Sequence, residues 1–591
     1  MFTTRPEIAG TFGVVASTHW LASQAGMAVL ERGGNAFDAA VAAGFVLHVA
    51  EPHLNGPGGD GPMIIHDART GKQHVICGQG VSPASATLAN FQALGVDLIP
   101  ATGLLPAMVP GAFDAWCLML RDWGTWEFND VVAFALGYAR NGCHVVGRIS
   151  DTIAGVKPLF ETEWTSSAAV FLPGGDVPAP GSLLRRPALA NTYERLCMEA
   201  VGMTREARID AVRHAWYQGF VAEAVDRFFR TNEILDVTGR RHRGLLEAQD
   251  FAKWSATVED PVAYDYHGHT MLKCGVWSQG PAFLQTLALL RDIDLGAMEP
   301  MGADFVHHVV EAMKLGFADR EAYYGDPNFC DVPLAHLLSD DYNAARRGLI
   351  SERASLDLRP GTVPGFNPVV DYDAARRGMA PAAVGAGEPT VARLGSFGGD
   401  TCHVDVIDRW GNMVSATPSG GWLQSSPVIP ELGFCMGTRG QMFWVNEGLP
   451  SSIGPGRRPR TTLSPSMALK DGKPWMVFGT PGGEQQDQWS PIMFLRMVHH
   501  GMNIQEAIDA PSFHSEHWPS SFWPRPAKPG KVVIEGRYGD DVLRDLLARG
   551  HLAEKGGDWS EGRLSGARVE ADGQMFAGAN PRGMQGYAVG R

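Results

Sequence analysis

At 591 residues, 45% hydrophobic and 19% charged, the chain has the composition of a globular protein with a large core, which excludes an intrinsically disordered one. Its formal net charge of −14 argues against nucleic acid or an anionic membrane as the main partner. Eight scattered cysteines without CxxC spacing fit reduced thiols better than a disulfide framework or a zinc site, so neither a metal nor a cofactor is expected.

The first residues, MFTTRPEIAGTFGVVASTHWLAS, lack a basic stretch followed by an unbroken apolar one, so no secretory signal is expected. No apolar run reaches the roughly eighteen residues of a membrane span, and a soluble cytoplasmic protein is the expectation. A helix-period pattern from His19 breaks at GGN and resumes as a small-residue helix from Asp38 to Val49. The glycine loop EPHLNGPGGDG then feeds a strand, Met63 to His66; without a following Gly-Lys-Ser/Thr it is not a phosphate loop. The basic runs RRHR (Arg240 to Arg243) and GRRPR (Gly456 to Arg460) read as solvated faces or salt-bridge clusters.

Ala303 to Tyr324 is one of the clearest helical patterns, with His307 and His308 read as packing or surface groups. Arg353 to Asp400 has no periodicity and reads as a flexible connection that ends at Thr401. Next comes a hairpin. Thr401, His403, Asp405 and Ile407 fall on one face and Cys402, Val404 and Val406 on the other; Asp408, Gly411 and Asn412 make the turn, and Met413 to Thr417 returns. A strand from Trp475 to Phe478, the loop GTPGGE and a helix from Ser490 to His500 follow. No linker tract divides the chain, so one large unit or two interleaved ones, α/β with sheets between helices, is expected.

A threonine hydroxyl is a poor nucleophile that a free α-amine on the same residue can activate as base. Such an amine has a pKa of about 7.7 to 8.0, close to working pH. An internal Thr401 has none, but cutting the Asp400–Thr401 bond would create one. A plain buried hairpin is the competing reading of this stretch. Acyl transfer also needs donors aimed at the developing oxyanion, and Gly482 and Gly483, between a strand and a helix, could present successive N–H groups.

The blocks VVASTHWLASQAGMAVLERGGNAFDAAVAA, EPHLNGPGGDG, LLPAMVPGAFDAW, SQGPA, EAMKLGFADREAYYGDP, DTCHVDVIDRWGNMVSAT, PGRRPRTTLSPSM and GTPGG, taken together and in this order, resemble the γ-glutamyltranspeptidase family of N-terminal nucleophile hydrolases. The resemblance implies a four-layer αββα sandwich made as one precursor, with residues 1–400 as a large subunit and 401–591 as a small one that stay together. It implies that Thr401 is both the self-processing and the catalytic nucleophile. It further implies that Thr417 supports Thr401, that Gly482 and Gly483 form the oxyanion hole, and that Ser419, Thr461 and Thr462 contact substrate.

The departures bear on substrate. An arginine expected to clamp the glutamyl α-carboxylate aligns with Gln79, an asparagine with Gly421, and the acidic pair that holds the α-amine with Arg439 and Met442. Arginine in place of an acid repels an ammonium and attracts a carboxylate; a structural ion pair is the other reading of Arg439. The expectation is a self-processing amidohydrolase for a small, carboxylate-bearing amide. True γ-glutamyl transfer, a cephalosporin (glutaryl) acylase or oxamate amidohydrolase activity, and an uncleaved binding protein are the alternatives. A small-molecule substrate and two subunits from one precursor are the expected partners, with further association of the pair left open.

Overall fold

A computed structural model describes residues 2–370 and 401–591; the Asp400 side of the expected cleavage site lies outside the described residues. Two seven-stranded sheets, antiparallel throughout, stack face to face. The first runs Tyr587–Gly590, Gly13–Ser17, Val404–Asp408, Met413–Ala416, Met63–Asp67, Lys72–Cys77, Thr257–Glu259. The second runs Ile8–Gly10, Met575–Ala579, Ser565–Val569, Lys473–Gly479, Ser466–Lys470, His269–Lys273, Val262–Tyr266. Each sheet takes strands from both sides of residue 401, so neither stretch of chain builds a sheet alone.

Period-two alternation sorts the side chains into layers. Val14, Ala16, Ile64, Val75 and Ile407 of the first sheet meet Leu272, Met467, Val477 and Ala567 of the second in the inter-sheet core. Their neighbours Val15, Ile65, Val404 and Val406 face the other way, into a core roofed by helices Trp20–Glu31 and Ala36–Ala50. Behind the second sheet, Met271, Met476 and Phe478 pack under helices Gly280–Leu290, Ala303–Tyr323 and Gln486–His500. Three apolar layers between four structural ones make the αββα sandwich. All eight cysteines are free thiols, so packing rather than covalent stapling holds the layers together. Among the described residues no helix is long and apolar enough to cross a membrane.

Helix Ala36–Ala50 is buried at every residue because Ala and Gly recur along it. Its start is set by a capping box in which the Asn35 side chain accepts from the amides of Phe37 and Asp38 and Asp38 accepts from the Asn35 amide. The same carboxylate also takes the amides of Thr125 (2.8 Å) and Trp126 (3.0 Å) and the Thr125 hydroxyl (2.7 Å). Asp38→Ala removes the acceptor of all four donors, of which the Asn35 amide is buried and those of Thr125 and Trp126 reach toward solvent, and thermal melting should show a loss of about 1–3 kcal/mol of stability.

Candidate active site

The hairpin ladder begins at Val404, not at Thr401. Thr401 to His403 run on ahead of it, with the Cys402 amide donating to the Pro418 carbonyl (2.9 Å) and an isolated bridge joining Thr401 to Ser419. The alternation continues through this lead-in. Thr401 Oγ1 lies 3.3 Å from Ser419 Oγ, and Cys402, Val404 and Val406 lie in the helix-side core.

Ser419 is held on its other side by the glycine loop that enters strand Met63–Asp67. The Asp60 amide donates to the Ser419 carbonyl (2.7 Å) and the Ser419 amide to the Asp60 carbonyl (2.9 Å). This approach needs Gly59, where a Cβ would stand 2.0 Å from the Ser419 oxygen. Thr401, Ser419 and Asp60 are therefore backbone neighbours although they come from separate parts of the chain.

Asp60 carries the next contact. Its Oδ2 accepts from Arg439 Nε at 2.6 Å, and the guanidinium lies 5.5 Å from the centre of the Trp422 ring. Both partners are buried, and among the described residues Nη1 and Nη2 of Arg439 have no hydrogen-bond partner. Burial pushes the Asp60 carboxyl up while Arg439 and Gln79 pull it back toward the ionised form. One nitrogen of Arg439 thus makes the ion pair of the structural reading. Arg439 and Met442 bound a short 3-10 turn, and Met442 packs with Trp422 and Phe522, so an apolar wall stands where the resemblance puts an acid. Gly421 takes a left-handed φ of 67° beside the glycine loop.

Gly482 (φ 116°) and Gly483 lie in the loop between strand Lys473–Gly479 and helix Gln486–His500, as the sequence indicates. Gln279 ties this loop to the threonine pair, its Nε2 donating to the Gly483 carbonyl (3.2 Å) and its amide to the Thr461 carbonyl (2.9 Å). Thr461 Oγ1 accepts from the Leu463 amide (3.3 Å), whereas the buried Thr462 Oγ1 has no partner among the described residues. Thr417 Oγ1 pairs with His403 Nδ1 at 2.9 Å.

A buried charge cluster behind Gly483 escaped the sequence reading. Arg320 Nη1 donates to Gln279 Oε1 (2.9 Å), Arg460 pairs with Glu321 (2.7 Å), and Glu484 accepts from the Ser521 amide (2.5 Å). Arg525 belongs to the same group, its guanidinium 3.9 Å from the centre of the Trp444 ring. Arg320, Arg460 and Arg525 face Glu321 and Glu484, an excess of positive charge; burial lowers Arg320 to about 10 and Arg525 to about 9. Burial opposes the charge on Glu321, yet Arg460 and Arg320 hold it down at about 2. GRRPR thus proves to be a salt-bridge run, since Arg458 also pairs with Glu259 and Asp326. Of the two readings of this run, a solvated face or a salt-bridge cluster, Arg458 and Arg460 take the second, with partners distant along the chain.

Among the described residues, one group has metal-ligand spacing: His307, Glu311 and His551, all buried. Glu311 already accepts from Lys314 (2.7 Å) and Arg359 (3.2 Å), and His307 Nδ1 lies 2.8 Å from His551 Nε2. Two cations beside one carboxylate oppose a third, so the group is an ion-paired packing site, in keeping with the sequence reading of His307.

The close approach of the glycine loop is testable. Gly59→Ala should force the Asp60 and Ser419 backbones apart, lowering the thermal midpoint by an amount equivalent to about 1–3 kcal/mol and speeding hydrogen exchange at the Ser419 amide.

The gamma-glutamyltranspeptidase family model matches residues 22–590. The glutathione hydrolase-like YwrD proenzyme of Bacillus subtilis (strain 168) is 31% identical over 592 residues, covering 99% of each chain. A solved structure of LmbA2991HD is 53% identical with a TM-score of 0.93, each chain covered in full (100%). The crystal structure of cephalosporin acylase from Bacillus halodurans is 26% identical with a TM-score of 0.83, covering 100% of this chain and 98% of that one. The chain belongs to the γ-glutamyltranspeptidase family and is an enzyme of its N-terminal nucleophile amidohydrolase type.

Proposed function

We propose that the chain cleaves itself at Asp400–Thr401 and then hydrolyses a small amide whose acyl part carries a carboxylate. The observation that carries the substrate class is Arg439: buried, held by Asp60 one backbone step from Ser419 and Thr401, with two terminal nitrogens unused. A planar guanidinium with two unused nitrogens matches a carboxylate, and a desolvated site strengthens the pairing. The wall of Trp422, Met442 and Phe522 offers no counter-charge for an α-ammonium. That disfavours glutamyl transfer, and likeness to a cephalosporin acylase supports the same preference.

The reaction runs twice through one oxygen. In self-processing, Thr401 Oγ adds to the carbonyl carbon of residue 400, the C–N bond breaks, and the hydroxyl proton passes to the departing nitrogen. Water then hydrolyses the ester, leaving a carboxylate on Asp400 and a free hydroxyl and α-amine on Thr401. In turnover, that amine takes the hydroxyl proton as Oγ attacks the substrate amide and delivers it to the leaving amine. Water releases the acyl group as an acid. The amides of Gly482 and Gly483 receive the oxyanion, worth about 3 kcal/mol per donor. Ser419 orients Thr401, and Thr461 and Thr462 supply hydroxyls to the substrate. Residues 1–400 and 401–591 become large and small subunits, and strand interleaving in both sheets keeps them together.

Intact mass under denaturing conditions should resolve two chains for the wild type, the smaller beginning at Thr401, and one chain for Thr401→Ala with no turnover. A persistent single wild-type chain would favour a non-catalytic binding role. With glutaryl-4-nitroanilide as probe, Arg439→Gln should raise KM about 10- to 100-fold, the loss of a charged hydrogen bond worth about 1.5–3 kcal/mol. An unchanged KM removes Arg439 from the pocket.

A further inference from the structure

The face of the hairpin that carries Thr401 continues inward. Pairing Val404 with Ala416 sets His403 opposite Thr417 and Asp405 opposite Ser415, all on the side facing the second sheet. Thr401 and Ser419 form the pair next outward but one, so Thr417 follows Thr401 on the same face of the hairpin, at the position the family resemblance gives to the hydroxyl that supports the nucleophile. From Thr417 an unbroken chain of contacts leads away from the nucleophile. Thr417 Oγ1 lies 2.9 Å from His403 Nδ1, His403 Nε2 lies 2.9 Å from Asp405 Oδ1, and Asp405 Oδ2 accepts the Ser565 hydroxyl at 3.0 Å. All four residues are fully buried. The second sheet makes room for the ring at Gly479, where a Cβ would stand 2.4 Å from His403 Cε1.

The direction of the protons follows from the inner end. Burial raises the Asp405 carboxyl while His403, Ser565 and Ser415 lower it; in its ionised form it takes the Ser565 hydroxyl on one oxygen and the Nε2 hydrogen of His403 on the other, which leaves Nδ1 of the neutral ring with a lone pair. Thr417 then donates its hydroxyl hydrogen to Nδ1. Its remaining valence toward Thr401 is lone pairs alone: it can accept from the Thr401 hydroxyl or amine and cannot donate.

We propose that His403 and Asp405 are positioning residues for Thr401: they lock the Thr417 hydroxyl as an acceptor, which holds the Thr401 hydroxyl in place until its proton passes to nitrogen. The inference rests on Thr401 being the nucleophile. It adds two residues, neither of which touches substrate, and gives Gly479 and Ser565 a reason to be where they are. Reversing the inner dipole breaks the logic without changing shape. The side-chain amide introduced by Asp405→Asn would donate to Nε2, put the hydrogen on Nδ1, and make Thr417 accept there and donate toward Thr401.

Self-cleavage of newly made chain reads this step with no added substrate, followed by pulse labelling in cell-free synthesis and denaturing gels. Asp405→Asn should slow it about 100-fold or more, in the range of a misplaced proton transfer, while the thermal midpoint stays near that of the wild type. In a Thr417→Ala background, Asp405→Asn should add no further slowing, because the relay acts only through that hydroxyl. His403→Gln, which severs the same chain, is the second variant should Asp405→Asn fold poorly, and the same non-additivity is expected. An unslowed Asp405→Asn beside a cleaving wild type, or full multiplication of the two effects in the double variant, overturns the relay and leaves Thr401 as nucleophile. A wild-type chain that never cleaves overturns both.

Discussion

The site depends on one close contact between backbones. The glycine loop comes within hydrogen-bonding distance of Ser419 on one side while Thr401 bridges Ser419 on the other, and the absence of a Cβ at Gly59 is what permits it. Once this is set, much else is determined. Asp60 faces Arg439, Arg439 lies over Trp422, and the hydroxyls of Thr401 and Ser419 meet. Backbone pairs of this kind hold side chains more tightly than loops with rotamer freedom can, which suits a reaction sensitive to displacements of about 1 Å.

Placing that contact at the middle of a sheet adds rigidity. The hairpin strands Val404–Asp408 and Met413–Ala416 are flanked on both sides by strands from before residue 401. They are covered on one face by helices and on the other by the second sheet. A cut before Thr401 would leave every one of these ladders intact, since none of their hydrogen bonds crosses that peptide bond. Processing and persistence of the folded unit are therefore compatible for a topological reason.

Buried charge is the main cost. Arg439 with Asp60, and Arg320, Arg460 and Arg525 with Glu321 and Glu484, are all withdrawn from water, where an ion pair seldom recovers its desolvation penalty. Such groups stabilise the fold poorly and function well: they are fixed, dry and strongly coupled to any anion or developing negative charge nearby. Arg439 and the arginines behind Gly483 place several buried guanidinium groups at this end of the sandwich.

The αββα class, the helices on either side of GGN, the strand after the glycine loop and the strand before GTPGG were legible because periodicity and glycine breaks are local signals. The face shared by Thr401, His403 and Asp405 was legible for the same reason. The regular ladder begins at Val404 and not at Thr401, which meets Ser419 in the same register only as an isolated bridge. The burial of GRRPR and the charge cluster were not legible, because Arg460, Glu321 and Ser521 are brought together only by folding. By itself the sequence determined which residues alternate, turn and cap, and, through its ordered blocks, the family. Only the tertiary structure decided that Arg439 pairs with Asp60 and that Thr417, His403, Asp405 and Ser565 form one line, because partners separated by many residues are chosen by the packing of layers and not by spacing along the chain.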